Sequence, residues 1–336
     1  MKYNIGIYGG SFNPLHLGHI HCILQAASQC RELYLILSVG THRGEIASKV
    51  RYRWLYQTVK HIGNTKILIL EDDAPSKADY SQDYWKKDAA WVREQIGRPI
   101  DVVFCGDDYG PDSFWNVCYP ESDLVFFHRN GISSSAIRKD PYRHWDWIPS
   151  IVRPYYVKKV LLIGSESTGK STLTINLALH YNTNFVEEAG RELSERSGTD
   201  QMMLSEDFTE ILLEQKLREI RAAQSSNRVL FLDTDCLITR FYLDFLNDPS
   251  RETNKRLADA IDSLNHYDLI LFLEPDVPFI QDGDRSTVIE NNRSEYSSRI
   301  LQIFQEHGRN CERISGNYLE RYQKAVTAVD RLLSNS

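Results

Sequence analysis

Residues 159–172 read KVLLIGSESTGKST, and this stretch decides the fold of the second half of the chain. An apolar run ends at Ile163, a turn with two glycines follows, and a helical pattern begins at Lys170. The spacing G-x-x-x-x-G-K-[ST] between a strand and a helix forms a loop whose main-chain N–H groups surround a phosphate. The stretch therefore predicts an α/β domain that binds a nucleotide.

This loop matches the Walker A pattern, which assigns a role to its positions. The main-chain N–H groups from Ser165 to Lys170 would surround the β-phosphate of ATP, the Lys170 ammonium would bridge the β- and γ-phosphates, and Ser171 would bind Mg²⁺. Lys170 is thus a predicted catalytic residue. The predicted ATP-binding residues of this site are Gly164, Ser165, Glu166, Ser167, Thr168, Gly169, Lys170, Ser171 and Thr172.

Two carboxylates follow the next hydrophobic strand pattern. Asp233 comes directly after residues 228–232, where a second Mg²⁺ ligand is expected, and Asp235 lies two positions later on the same side. Glu188 and Arg191 lie between the two motifs, where small-molecule kinases recognise the acceptor; a solvated charge run is the alternative. We predict that Asp233 and Asp235 are catalytic and that Glu188, Arg191 and Asp235 bind the acceptor. Which carboxylate is the base stays open.

A polar stretch at residues 282–286 precedes another helical pattern and carries Arg285, with Arg293 close behind it. A kinase must exclude water from the γ-phosphate, and an arginine on a closing segment can do so while it stabilises the transferred charge. We predict that both arginines bind ATP. An exposed loop is the alternative.

A second motif lies near the start of the chain, where residues 9–19 read GGSFNPLHLGH after an apolar strand pattern. The paired glycines let main-chain N–H groups approach phosphate oxygens, and the following helix presents its positive end. His16 and His19 are about one helical turn apart, so both imidazoles face the same side. Because such a pair is by itself more often packing, its interpretation depends on context.

That context is a hydroxyl-rich turn at residues 132–138, which read ISSSAIR. Serines would cap a helix there, and Arg138 follows within its first turn. Gly106 and Asp107 end another strand pattern and either bind a ribose or form a turn. The predicted ATP-binding residues of this first site are Gly9, Gly10, Ser11, Phe12, His16, His19, Gly106, Asp107, Ile132, Ser133, Ser134, Ser135 and Arg138.

The first domain, over residues 3–140, resembles the nucleotidylyltransferase superfamily, whose HxGH and ISxTxxR loops bind the triphosphate of ATP between them. Ser135 stands where threonine is common and keeps the hydroxyl group. The resemblance implies in-line attack of a substrate phosphate on the α-phosphorus of ATP and release of pyrophosphate. It also implies Mg²⁺ and three catalytic residues, His16, His19 and Arg138.

Three further residues are candidates for contacts with the second substrate of this domain. Trp85 follows a polar loop, where the nicotinamide-nucleotide branch of the superfamily is similar in placing a tryptophan that stacks on the pyridinium ring. A core tryptophan is the alternative. Arg51 and Arg53 would contact the substrate phosphate, although a plain amphipathic helix explains them as well. We predict that Arg51, Arg53 and Trp85 bind nicotinamide mononucleotide (NMN).

Across nearly its entire length the chain is similar to the NadR-type bifunctional family, which joins a ribosylnicotinamide kinase to a nicotinamide-nucleotide adenylyltransferase. The resemblance implies that the second domain phosphorylates nicotinamide riboside to NMN and that the first converts NMN to NAD, each with ATP and Mg²⁺. Some members begin with a helix-turn-helix repressor domain, whereas this chain starts at the first strand pattern, so DNA regulation is not expected. The alternatives are another nucleotidylyltransferase fused to another nucleoside kinase, or an NAD-sensing regulator with little turnover.

Strand and helix patterns alternate through both halves, which predicts two doubly wound parallel-sheet domains of the α/β class. The first, residues 1–155, is expected to be a Rossmann-like HxGH nucleotidylyltransferase domain, and the second, residues 156–336, a P-loop kinase domain. An aromatic segment bounded by prolines, residues 140–149, predicts a short closing helix.

Charge and composition limit the functional class. The 39 basic and 46 acidic residues give a net charge of -7, which argues against a general nucleic-acid partner. No apolar run approaches the roughly 20 residues of a membrane span, and no secretion signal is recognisable, so we expect a cytoplasmic enzyme without membrane insertion. Six cysteines without a CxxC pair predict reduced thiols rather than a zinc site. The sequence leaves open a homo-oligomer, transfer of product between sites, and feedback by NAD.

Overall fold

The chain folds into two compact units, Met1–Val152 (unit 1) and Arg153–Ser336 (unit 2). A computed structural model describes residues 1–76, 78–106, 113–128, 131–198, 202–281 and 287–334. The assignment of one enzymatic domain to residues 1–155 and another to residues 156–336 stays a prediction.

Unit 1 alternates strands and helices along the chain. Its elements are β1 Tyr3–Gly10, α1 Leu17–Gln29, β2 Cys30–Gly40, α2 Ser48–Val59, β3 Thr65–Asp72, α3 Gln82–Ile96, β4 Val102–Gly106, α4 Phe114–Cys118, β5 Asp123–Phe127 and α5 Ser134–Lys139. A short 3-10 helix, Trp145–Trp147, lies within the segment for which a closing helix was expected.

The sheet of unit 1 is parallel and has the strand order β3-β2-β1-β4-β5. The central strand is β1, where Tyr8 lies opposite Leu35 of β2 and Phe104 of β4. The order reverses at β1, and ligands of open parallel sheets bind at the carboxyl ends of the strands beside such a reversal. Gly10 ends β1 and Gly106 ends β4, so the topology places both at this edge.

Unit 2 repeats the α/β alternation with more helices. Its elements are β6 Lys158–Ile163, α6 Lys170–His180, β7 Phe185–Val186, α7 Ala189–Ser197, α8 Ser205–Ala223, β8 Val229–Asp233, α9 Cys236–Phe245, α10 Arg251–Asp262, β9 Leu269–Leu273, α11 Thr287–Asn291, α12 Arg293–Glu306, β10 Glu312–Ile314 and α13 Tyr318–Ser334.

The sheet of unit 2 is also parallel, with the order β10-β9-β6-β8-β7. The chain leaves β6 for the phosphate-binding loop, and β6 is flanked by β8 and β9, so the loop lies at the reversal point of this sheet. Leu162 of β6 pairs with Asp233 of β8, which brings the carboxylate strand beside the loop strand. The two parallel sheets confirm the predicted fold class.

Some short elements were not predicted from the sequence. They are α4, α7, α11, β7 and β10, and they span two to nine residues. A strand of two or three residues is too short to show an alternating pattern, and a helix of five residues is too short to show a helical one. Helix α7 is longer, but Leu193 is its one large apolar residue, so it has no apolar period. None of the helices in the described part of the chain is long and apolar enough to cross a membrane.

Candidate active sites

The first loop of unit 1 needs glycine because a tryptophan ring lies directly against it. A Cβ atom on Gly9 would lie 2.5 Å from the ring of Trp115, which is itself buried. Phe12 is also buried, has a positive φ of 47°, and contacts the His19 ring edge-on with centroids 5.0 Å apart. Aromatic side chains therefore pack against the start of the loop at Gly9 and against His19 at its end.

The two histidines of this loop form one stacked unit. His16 is the N-cap of α1, and its Nδ1 accepts the main-chain N–H of His19 at 3.3 Å. The rings are stacked with centroids 3.6 Å apart, and both residues are buried. With Nδ1 used as an acceptor, the proton of a neutral His16 imidazole lies on Nε2.

The structure brings the second hydroxyl-rich turn to the histidine loop. Ser133 caps α5 by accepting the N–H of Ala136 at 3.2 Å, and the Ser134 hydroxyl donates to the Pro14 carbonyl at 3.0 Å. Arg138 donates to the Asn13 carbonyl and, through Nη2, to the Ser135 hydroxyl at 3.2 Å. The two predicted ATP-binding turns thus contact each other through side chains. The other members of that set in the described part of the chain are Gly10 and Gly106 at strand ends, Ser11 directly after β1, and Ile132. Asp107 lies outside the described residues.

Arg51 lies under the first loop rather than on the surface. Its side chain is 1% exposed; Nε donates to the Ile46 carbonyl at 2.7 Å, and Nη1 donates to the carbonyls of Ser11 at 2.6 Å and Ser38 at 3.1 Å. Glu45 lies 3.0 Å from Nη2. Burial lowers the pKa of Arg51, while Glu45 opposes this shift. These contacts make Arg51 a support for the loop at Ser11, and a direct contact with a substrate phosphate stays a prediction.

The other two predicted NMN contacts are placed differently. Arg53 is exposed, so its guanidinium is accessible to a ligand. Trp85 is half-buried, packs against the core of unit 1, and meets the Phe114 ring edge-on at 5.6 Å. This packing agrees with the alternative of a core tryptophan, and stacking on a pyridinium ring stays a prediction.

In unit 2 the phosphate-binding loop combines residues of positive φ. Gly164 has a φ of 150°, and a Cβ atom there would lie 2.8 Å from the Leu273 carbonyl oxygen. Gly169 has a φ of 84° and Ser167 a φ of 57°. The Lys170 ammonium donates to the Ser165 carbonyl at 3.0 Å, so it lies over the loop.

The carboxylates predicted from the sequence surround this loop. Asp233 is buried, and its Oδ1 has no hydrogen-bond partner among the described residues. Burial raises the pKa of Asp233, and the Lys170 charge and the Ser171 hydroxyl oppose this. Burial and the Asp233 charge raise the pKa of Glu188 as well. A buried carboxylate oxygen without a donor, beside a serine hydroxyl, fits Mg²⁺, which prefers oxygen ligands.

A cavity of about 440 Å³ opens beside the loop. Its polar lining includes the predicted residues Glu166, Lys170, Ser171, Glu188, Arg191 and Asp235, and its apolar lining includes Met203, Phe208, Ile211, Ile238, Tyr242 and Leu246. The lining therefore combines charged groups suited to phosphates with apolar side chains suited to an aromatic or apolar group.

Asp235 connects this cavity to helix α9. It is the N-cap of α9, and its Oδ1 accepts the Leu237 N–H at 3.0 Å, while its buried Oδ2 has no hydrogen-bond partner among the described residues. Burial raises the pKa of Asp235 to about 7. An oxygen of this kind at a cavity wall suits a donor such as a sugar hydroxyl.

Gln215 and Tyr242 were missed by the sequence analysis. The Gln215 side chain accepts the Ala189 N–H at 2.9 Å and donates to the carbonyls of Asp233 at 3.2 Å and Thr234 at 3.3 Å. The Tyr242 hydroxyl donates to Glu166 Oε1 at 2.9 Å. Both residues lie on helices outside the motifs. The sequences of these helices show only an ordinary helical period, which does not mark a site residue.

Arg293 lies against the phosphate-binding loop, while Arg285 lies outside the described residues. Arg293 is 9% exposed and donates to the carbonyls of Glu166, Ser167 and Val277. Its guanidinium thus binds the main chain of the phosphate-binding loop, and a contact with ATP stays a prediction.

Comparison with known proteins finds relatives for both units. Residues 7–140 match the family described as cytidylyltransferase-like, and residues 159–321 match the family described as an AAA domain. The trifunctional NAD biosynthesis/regulator protein NadR of Escherichia coli (strain K12) is 28% identical over 348 residues, which cover 99% of this chain and 84% of that protein.

Two solved structures of NadR share the fold of the whole chain. The crystal structure of NadR in complex with NR has a TM-score of 0.79 and 26% identity, and covers 99% of this chain and 96% of the other. The structure in complex with NAD and AMP-PNP has a TM-score of 0.79 and 25% identity, and covers 98% and 96%. The chain is therefore close to NadR along its length, as its two phosphate-binding motifs predicted.

Proposed function

We propose that this chain is a bifunctional enzyme of NAD biosynthesis that makes NAD from nicotinamide riboside in two ATP-dependent steps. Unit 2 phosphorylates the riboside to NMN, and unit 1 adenylylates NMN to NAD with release of pyrophosphate. The observation that carries the proposal is the presence of two phosphate-binding loops on two parallel sheets, one of them beside a cavity of about 440 Å³. Among the reactions that proteins with such loops catalyse, the similarity to NadR favours these two.

The lining of that cavity supports the kinase step. Main-chain N–H groups of the loop and the Lys170 ammonium would bind the β- and γ-phosphates, and Arg191, which also lines the cavity, donates to the Ser171 hydroxyl at 3.2 Å. Ser171 and Asp233 would hold Mg²⁺, which neutralises charge on the phosphates when bound. Of the remaining carboxylates, Asp235 would accept a ribose hydroxyl, and Glu188 or Asp235 would take the proton of the attacking hydroxyl.

The same cavity also carries groups that suit a cationic ring. Glu166, Glu188 and Asp235 supply three carboxyl groups, and Tyr242 supplies an aromatic side chain that is hydrogen-bonded to Glu166. Aromatic faces and carboxylates both attract a cation in a site that excludes water. These groups support a riboside of a pyridinium ring over a riboside of a neutral base.

The adenylyl step needs positioning and charge neutralisation instead of a covalent intermediate. The NMN phosphate would attack the α-phosphorus of ATP while the stacked His16 and His19 donate to the phosphates. Arg138, at the contact between the two turns, would stabilise the leaving pyrophosphate. Mg²⁺ is proposed for this step as well.

The setting of the enzyme belongs to the same proposal. We expect its partners to be nicotinamide riboside, NMN, ATP and NAD, without a nucleic-acid partner or membrane insertion, in the cytoplasm where ATP is abundant. Transcriptional regulation through DNA is not part of the proposal. A homo-oligomer is compatible with it.

A product assay with the purified chain tests the proposal. Incubation of nicotinamide riboside, ATP and Mg²⁺ should yield NMN first and NAD later, as resolved by chromatography. Adenosine, cytidine and 4′-phosphopantetheine, supplied in parallel, should react far more slowly. Turnover of one of these compounds without turnover of nicotinamide riboside would establish a different pairing of activities, and tight NAD binding without any product would establish a sensor.

A further inference from the structure

Two buried arginines hold three consecutive carbonyl groups of the phosphate-binding loop of unit 2. Arg293 donates from Nε to the Glu166 carbonyl at 3.2 Å and from Nη2 to the Ser167 carbonyl at 2.6 Å. Arg321 donates from Nη1 to the Thr168 carbonyl at 2.6 Å. The arginines lie on α12 and α13, so parts of the chain remote from the motif fix its main chain.

Each arginine is itself fixed by other contacts. Arg293 donates from Nη1 to the Val277 carbonyl at 2.5 Å. Arg321 donates from Nη2 to the Glu274 carbonyl at 2.7 Å and forms an ion pair with Asp276. They are only 9% and 4% exposed, respectively. Because both guanidinium groups are anchored on two sides, they can act as fixed supports for the loop.

Because the peptide bond is planar, contacts that hold the carbonyl groups also fix the direction of the N–H groups of the loop. In a planar trans peptide the C=O of one residue and the N–H of the next point in opposite directions. With the carbonyls of residues 166–168 turned toward the arginines, the N–H groups of Ser167, Thr168 and Gly169 must point away from them. N–H groups oriented together in this way form the anion-binding concavity of a phosphate loop.

The loop needs outside support at Ser167 in particular. Ser167 has a φ of 57°, a left-handed conformation that is unfavourable for a residue with a side chain. Its carbonyl is held by Arg293, and its hydroxyl oxygen accepts the Ile280 N–H at 2.8 Å. Contacts from outside the motif thus keep this residue in an uncommon conformation, as strained backbone requires.

We propose that Arg293 and Arg321 are positioning residues for phosphoryl transfer, which orient the N–H groups of the loop toward the triphosphate of ATP through its carbonyl groups. The inference rests on the proposed kinase function of unit 2 and adds to it two residues that act through the loop. It differs from a contact of either arginine with ATP, because their donors face the main chain on the opposite side of the peptide planes.

Kinetics of Arg293→Lys and Arg321→Lys in the full chain test the inference. Lysine keeps the charge but lacks the planar fork of donors that binds two carbonyls at once. We expect KM for ATP in riboside phosphorylation to rise by about tenfold, with KM for the riboside changed by less than about twofold. Inhibition by tripolyphosphate should weaken by the same factor as ATP binding, because the loop contacts only phosphates.

Three controls separate positioning from general damage to the fold. Arg240→Lys changes another arginine of unit 2, which pairs with Asp259 at 2.6 Å away from the loop, and it should leave KM for ATP unchanged. NMN adenylylation by unit 1 of the same variants should match that of the parent chain. If Arg321→Lys does not fold, Arg293→Lys and Arg293→Gln provide the test. Variants with unchanged KM for ATP, or with equal rises of KM for ATP and riboside, would overturn the inference.

A binding measurement distinguishes failure of this inference from failure of the proposed function. If the parent chain phosphorylates no riboside, the proposed function fails. Calorimetry then measures the binding of Mg²⁺-ADP to the loop directly. The component of the binding that belongs to the loop is the one that Lys170→Ala removes. That component should be about tenfold weaker in Arg293→Lys, and an unchanged component would refute the positioning role.

Discussion

The Nδ1 atom of His16 accepts the main-chain N–H of His19, and the two imidazoles stack with ring centroids 3.6 Å apart. One side chain therefore caps helix α1 and also belongs to the proposed adenylyl-transfer site. The cap places the proton of a neutral His16 imidazole on Nε2, so the cap and the proposed phosphate contact use different nitrogens of the same ring.

Substitutions at His16 should separate the cap from the site. Asparagine is a good N-cap but lacks an imidazole, so His16→Asn should lose most NMN adenylylation while its unfolding free energy stays within about 0.5 kcal/mol of the parent value. His16→Ala removes both functions and should also lose about 1 kcal/mol of stability. Denaturant unfolding and NAD formation measure the two effects. Equal stability of the two variants would show that the cap contributes nothing.

The two steps should be lost independently. Lys170→Ala removes the cation that would bridge the β- and γ-phosphates, so NMN formation should fall by at least about a hundredfold while conversion of NMN to NAD continues. His19→Ala should do the reverse. The matched controls are Lys324→Ala, where the ammonium contacts Ser315, and His21→Ala on the exposed face of α1. Loss of both steps in either site variant would contradict separate sites.

Arg51 and Arg53 lie two positions apart on α2, and their substitution should affect different properties of the protein. Arg51→Met removes the buried donors to the Ser11 and Ser38 carbonyls, so we expect a stability loss of about 3 kcal/mol together with weaker adenylylation. Arg53→Met changes an exposed side chain and should raise KM for NMN without a comparable change in stability. Unchanged KM for NMN in Arg53→Met would remove Arg53 from the NMN site.

Asp233 should set the Mg²⁺ requirement of the kinase step alone. Asp233→Asn keeps the shape of the side chain but removes a buried anionic ligand, so riboside phosphorylation should need about tenfold more Mg²⁺. The Mg²⁺ dependence of NMN adenylylation should stay as in the parent chain. Titration of Mg²⁺ into each assay measures the difference, and an identical titration curve for the kinase step would rule out Asp233 as a ligand.

The sequence predicted the parts of the sites that lie in continuous motifs. The loop from Gly164 to Thr172 and the strand that ends at Asp233 carry their geometry in a local pattern, because a strand, a glycine turn and a helix follow one another there. The same holds for His16 and His19 on the first turn of α1. Long apolar strands made the two parallel sheets predictable as well.

Contacts between distant segments could not be predicted in this way. Arg321 reaches the loop from 153 residues away, and Tyr242 reaches Glu166 from 76 residues away. Arg51 and Arg293 were recognised as arginines near a site, but a sequence pattern does not show whether a guanidinium faces a ligand or main-chain carbonyls. Tertiary packing decides between these two roles, and a local sequence pattern does not show tertiary packing.

The most direct measurement follows the two phosphorus atoms of ATP into the products. Nicotinamide riboside is incubated with the parent chain and Mg²⁺, once with γ-labelled and once with α-labelled ATP. We expect the γ-label in NMN and then in NAD, and the α-label in NAD alone. Label from the α-phosphorus in NMN, or NAD without the γ-label, would contradict the claim that one site transfers the terminal phosphate and the other the adenylyl group.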